Sequence, residues 1–221
     1  MIDYYMGPEV TIQVEEKEYK LPKLLACHNS SMFNTAFNGE FKEAKEQKMT
    51  LVTSTGVFEI AIKWMFIGTV GPKPKTMDPS DYLAQLLEFL TLSDFLGLLG
   101  PLTPVTKEIS SILKTRGSLV SDHIKYAMKQ APGSEARNIV LKACIGPYLQ
   151  SLGWSYDHKR PGKISEFKFK TELDELDGFA AEIFRLFGET ARKKQSWKGS
   201  LGIGSLSMVP DPATGEPMFF K

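Results

Sequence analysis

The sequence is poor in the groups that most catalytic chemistry would need. It has two cysteines among its 221 residues, Cys27 and Cys144. Two thiols cannot build a disulfide framework, and neither has a second thiol at metal-ligand spacing. The three histidines, His28, His123 and His158, are scattered. His28 adjoins Cys27, but adjacent helical residues point in different directions, so the pair reads as a small buried thiol beside a helix-end imidazole. No nucleophile, base and orienting group share a motif. An excess of charge is also missing: 27 basic against 26 acidic side chains leave a net charge of +1. Such a chain lacks the basic field on which nucleic-acid or anionic-membrane binding draws. No apolar run is long enough to span a bilayer, since residues 57–70 are interrupted by Glu59 and Lys63. The opening residues lack a basic region followed by an apolar one, the mark of a secretory signal. The expectation is a reducing intracellular compartment, cytoplasmic or nuclear. No enzyme activity, cofactor, metal or small-molecule substrate is expected, and neither nucleic acid nor membrane as a partner.

What is present is ordinary globular material. Hydrophobic residues make up 42% and charged residues 24%, which suffices for a packed core. Residues 9–14 alternate apolar and polar side chains and are rich in β-branched types, the pattern of a half-buried strand. A polar turn and a second alternating stretch, 18–21, complete a hairpin. Pro22 suits the first position of a helix with Leu24, Leu25 and Cys27 on its apolar face. Ser30 or Ser31 offers a cap for a second helix carrying Met32, Phe33, Ala36 and Phe37, stopped by Asn38-Gly39. Residues 48–52 read as a third strand. Residues 57–67, capped by Ser54 or Thr55, are apolar on most sides, as a central helix would be. Asp78-Pro79-Ser80-Asp81 opens a helix with Tyr82, Leu83, Leu86, Leu87 and Leu90 at helical spacing, broken by Gly97. Another helix begins at Thr103-Pro104.

Beyond a boundary at 116–118 the pattern is helical. Helices are expected at 122–130 and from Ser134, where Gly146-Pro147 should kink or end the run. Residues 153–170 read as a polar loop. Thr171 and Asp174 resemble a capping box opening a helix that buries Leu173, Leu176, Ala180, Ile183 and Phe187. From Ser196 onward Gly, Ser and Pro dominate, and irregular or mobile chain is expected.

The order of residues in the first half resembles the BTB/POZ family. A strand hairpin leads to a Leu-rich short helix, then Ser31-Met32-Phe33, Phe37, Phe41-Lys42-Glu43, Leu51, Phe58 and Trp64-Met65-Phe66-Ile67-Gly68. Leu92-Ser93-Asp94-Phe95-Leu96 is similar to a later family step. The helices beyond, with Pro132-Gly133-Ser134 and Arg137, are similar to those of compact fungal-type BTB proteins. Three features depart from the pattern. Leu21-Pro22-Lys23 stands where the family often has His-Lys, Pro8-Glu9 replaces Ser-Asp, and the exchanged N-terminal extension is very short or absent.

The resemblance implies an α+β fold, a small sheet capped by helices and followed by an all-helical extension. The expected divisions are a BTB/POZ-like domain over 8–115, a helical extension over 118–192 and a tail over 193–221. It implies a protein-protein interaction module: a cullin-type ubiquitin-ligase adaptor holding a scaffold and an unknown target, or else a scaffold that oligomerises with itself or others. The interaction residues implied are Phe37, Phe41, Glu43 and Tyr82, with the helix around 78–92.

Other motifs read blandly. Gly199 to Ser205 is Gly-rich but lacks the Lys-Ser/Thr ending of a phosphate loop. Glu172, Asp174, Glu175 and Asp177 are acids near a helix start, where the dipole favours them. Lys159-Arg160 and Arg192-Lys193-Lys194 read as solvated charge.

Overall fold

Alternation at the start of the chain does produce a hairpin. In the computed structural model, which describes residues 7–115, 117–158, 160, 162–193, 195–198 and 205–220, β1 (Glu9–Val14) and β2 (Lys17–Pro22) pair antiparallel, with Ile12 opposite Tyr19. Val10, Ile12 and Val14 are fully buried. β3 (Lys48–Leu51) pairs with the other edge of β1 and runs parallel to it, giving the order β2-β1-β3. A parallel partner cannot follow by a tight turn. Here the crossover holds three short helices, α1 (Lys23–Asn29), α2 (Ser31–Asn38) and α3 (Lys42–Glu46).

Two longer helices complete this unit. α4 (Thr55–Ile67) is capped by Ser54, whose side chain accepts the Val57 amide, and ends on Gly68 in the left-handed region. α5 (Pro79–Leu96) is capped by Asp78 and ends on left-handed Gly97. α5, rather than α4, is the more enclosed: Tyr82, Leu83, Leu86, Leu87, Phe89, Leu90, Leu92 and Leu96 are all buried. α4 leaves Ile67 exposed. Pro22 ends β2 and occupies the N-cap of α1 instead of its first turn. Leu24 therefore faces solvent, and Leu25 and Ala26 point inward.

The α1–α2 corner is tied to the end of α5 by Ser30, which is wholly buried. Its hydroxyl caps α2 by accepting the Phe33 amide at 3.0 Å and donates to the Leu96 carbonyl at 2.6 Å. Around it, Ser31 N–H donates to Gly97 and Leu99 N–H to Asn29. A Cβ on Gly97 would collide with the Ser31 side chain.

The chain divides into compact units at Glu108/Ile109, inside α6 (Thr103–Leu113). The second unit holds α7 (Ser121–Lys129), α8 (Glu135–Ser151), α9 (Lys170–Glu175) and α10 (Phe179–Ala191). Gly146-Pro147 does not end α8, which continues to Ser151. The stretch read as one helix from Thr171 is two, broken at residues 176–178. The capping box does not form: Phe169 is the N-cap of α9 and gives no side-chain bond, and Asp174 pairs with Lys170. Arg137 of α8 gathers this unit. Its guanidinium donates to the Met128 and Gln130 carbonyls and, at 3.3 Å, to Glu182 of α10.

The tail corrects an expectation. β4 (Gln195–Lys198), β5 (Ser205–Pro210) and β6 (Pro217–Phe220) form a second antiparallel sheet in that order. Val209, Met218 and Phe219 are buried, so this segment has core of its own. The β5–β6 turn is set by Asp211, whose side chain accepts the Ala213 and Thr214 amides. Gly199 to Gly204, most of the Gly-rich run, lie outside the described residues.

Replacing Ser30 by Ala removes a cap and leaves a buried carbonyl without its donor. Ser30→Ala is expected to destabilise the first unit by about 2–4 kcal/mol, read as a lowered urea midpoint with an unchanged slope.

Candidate functional site

The four residues singled out from sequence fall in two different environments. Phe37 is 1% exposed and Tyr82 2% exposed. Both are core side chains, so neither reaches a partner. Phe37 closes α2 with its ring 5.9 Å from that of Phe33. Tyr82 donates its hydroxyl to the Gly71 carbonyl at 3.0 Å. Burial, with Glu108 adding to it, pushes its phenol up to about 12. The helix around it is interior too, with Asp81 and Asp94-Phe95 its exposed positions. A Tyr at helical spacing among leucines is core by that pattern alone, and the expectation of surface was wrong for it.

Phe41 and Glu43 are placed differently. α2 stops at Gly39, and the chain turns so that Phe41 becomes the N-cap of α3 with its ring 58% exposed. Glu43 sits half-buried in the first turn of α3, where a carboxylate is favoured by the helix dipole. The mount is stiff. Lys23 donates to the Phe37 carbonyl at 2.9 Å, and the Gln47 amide donates to the carbonyls of Phe37 and Ala44. Gln47 itself is left-handed, at φ 50°, and turns the chain from α3 into β3. Lys23 and Gln47 were not read as part of this site. The available signal was an aromatic directly after a helix stop, which has no helix left on which to be buried.

Other apolar side chains of this unit are also exposed: Leu24, Val52, Ile67, Phe95 and Leu99. Leu24 and Leu99 belong to segments joined by the Leu99-to-Asn29 hydrogen bond. Such apolar exposure marks interaction surfaces when contiguous.

Residues 7–97 match the family model for the BTB/POZ domain. This segment is a BTB/POZ domain. The match ends at Gly97, the residue that caps α5. No curated protein matches the chain. BTB/POZ domains are protein-protein interaction modules, and that is the role the domain brings to this chain.

The groups that an enzyme reading would draw on are placed as follows. His123 is buried and its Nδ1 accepts the Val120 amide at 3.2 Å, closing the first turn of α7. His158 lies edge-on to Phe219. Burial pushes the Cys27 and Cys144 thiols up, so both stay protonated near neutral pH. Among the described residues there is no grouping of His, Cys, Asp and Glu that could hold a metal ion. No helix among them is long and apolar enough to cross a membrane.

The split between core and surface is directly measurable. Phe37→Ala should cost about 3–5 kcal/mol in urea unfolding, and Phe41→Ala should stay within about 0.5 kcal/mol of the parent. Tyr82 adds a pH signature. A phenol raised in the folded state contributes stability that is complete below its usual value near 10 and declines as pH rises through about 12. The stability difference between the parent and Tyr82→Phe should therefore narrow as pH is raised from about 9 to 11.5.

Proposed function

We propose that the chain is a cullin-type ubiquitin-ligase adaptor that contributes no chemistry of its own. It holds a scaffold on the BTB/POZ domain and a target elsewhere, raising the effective concentration of one for the other. The observation that carries this reading is Phe41. A phenylalanine held in solvent on a stiff turn, with a carboxylate two residues on, has the makeup of an interface anchor: an aromatic flanked by a charge that sets orientation. Its neighbours Phe33 and Phe37 show that the local core is already filled. An intracellular place of work, cytoplasmic or nuclear, goes with this reading.

A second reading is favoured by Leu24, Ile67, Phe95 and Leu99, which are exposed on the same domain. In it the protein is an oligomerising scaffold with no ubiquitin-ligase role.

Light scattering on size-exclusion eluates, of the protein alone and mixed with a cullin N-terminal domain, tests both. The adaptor reading expects a co-eluting complex at micromolar concentration, loosened about tenfold or more by Phe41→Ala and by Glu43→Lys. No complex, with a mass that grows with concentration and falls on Leu99→Ser, would overturn it in favour of the scaffold.

A further inference from the structure

The second unit holds a cavity of about 710 Å³, a size that encloses a small organic molecule or a short peptide segment. Its walls are the connector after α6, the middle of α8, the 165–168 segment and the 211–216 turn. Charges of both signs line it, so the chemistry of a ligand depends on which groups are already engaged.

Two of the three acids, Asp211 and Glu216, are engaged. Asp211 is 3% exposed, and its carboxylate accepts from the Tyr156 hydroxyl and from the amides of Ala213 and Thr214. Gly146 makes this possible, because a Cβ there would collide with Asp211. Burial and the adjacent Asp211 carboxylate push the Tyr156 phenol up, so it remains a donor. Glu216 lies 3.9 Å from Lys114.

The donors have capacity left. Lys168 gives one N–H to the Leu119 carbonyl at 2.7 Å, and an ammonium has three to give. The next residue along the connector, Ser118, is 3% exposed. It lines the cavity, and a serine hydroxyl can donate one hydrogen bond. Pro147, which also lines the cavity, has no N–H to offer the Ala143 carbonyl. That carbonyl belongs to a residue lining the cavity and has lost its usual helical donor.

We propose that this cavity binds a carboxylate carried on a peptide, with Ser118 and Lys168 donating to the carboxylate. An anion suits two donors lining one cavity, and charge-assisted bonds of this kind are the strong ones. A peptide, rather than a bare inorganic anion, brings the N–H that the Ala143 side of the cavity can accept. Its carbon skeleton meets Pro147, Leu113 and Ala213. The same chemistry is offered by the carboxyl terminus of a polypeptide and by an Asp or Glu side group. The pocket supplies the target-reading surface that the adaptor reading calls for, and its use rests on that reading.

The test is NMR titration of the full ¹⁵N-labelled protein with no scaffold present, so failure of the pocket and failure of the adaptor reading are told apart. Three probes are compared: N-acetyl-trialanine as the free acid, the same peptide as its C-terminal amide, and N-acetyl-Ala-Asp-Ala amide. Saturable shifts at the Ser118 and Leu119 amides with the free acid alone assign a carboxyl terminus as the ligand. Shifts with the aspartyl peptide, alone or together with the free acid, assign an acidic residue within a peptide as a ligand. In either case Ser118→Ala and Lys168→Met should each weaken binding about tenfold, and Glu166→Gln should leave it intact or tighten it. No shift with either acid, shifts of equal size with the amide, or unchanged affinity in Ser118→Ala overturns the proposal.

Discussion

Two hydrogen bonds from one buried hydroxyl hold the BTB/POZ domain in register. Ser30 starts α2 and reaches 66 residues along the sequence to the carbonyl at the end of α5. A serine can do both at once because its oxygen accepts and donates. Everything near it follows from that contact. Gly97 must be left-handed and must lack a Cβ, since Ser31 passes against it. Leu99 is then delivered to Asn29, and the Trp64 indole donates to the Leu99 carbonyl at 3.1 Å. The turn that presents Phe41 begins at the far end of the helix that Ser30 starts. Its placement inherits the precision of the corner.

The second unit uses a cation in the same office. Arg137 bonds two carbonyls at the end of α7 and one carboxylate on α10. Its Nε is buried without a partner. A buried ion pair is weak evidence for stability, since desolvation offsets much of the attraction. What it supplies is a shared contact: the guanidinium on α8 meets acceptors at the end of α7 and on α10. Pro147 and Gly146 mark the other constraint. One removes a helical donor, and the other admits the Asp211–Tyr156 pair against the helix.

Much of this fold was legible because it depends on local rules. Alternation gives β1 and β2, Asp78-Pro79 opens α5, and Gly68 and Gly97 close their helices where the left-handed region is required. The errors share a cause. Tyr82 and Phe37 were read as surface through family resemblance, although their helical spacing among leucines and alanines already places them inside. The second sheet was missed because Gly, Ser and Pro dominate its composition, while its buried side chains, Val209, Met218 and Phe219, acquire a core only once the β5–β6 turn forms. Splitting of α9 from α10 turns on Gly178 at φ 77°, a backbone choice that the apolar spacing does not report. Phe41 was read as surface on the same resemblance, and its ring stands in solvent where the helix stop leaves it.

The parallel pairing of β1 with β3 carries a kinetic consequence. The β1–β2 hairpin closes through a two-residue turn and needs nothing else to start. β3 meets β1 only after α1, α2 and α3 have brought the backbone round again, as Val14 against Leu51 requires. Contacts so distant in sequence are entropically late. Assembly of the first sheet is thus expected to run hairpin before crossover. Through that interval β1 has one edge unsatisfied and Val10, Ile12 and Val14 uncovered, and a newly made molecule is then most open to sticking to its neighbours.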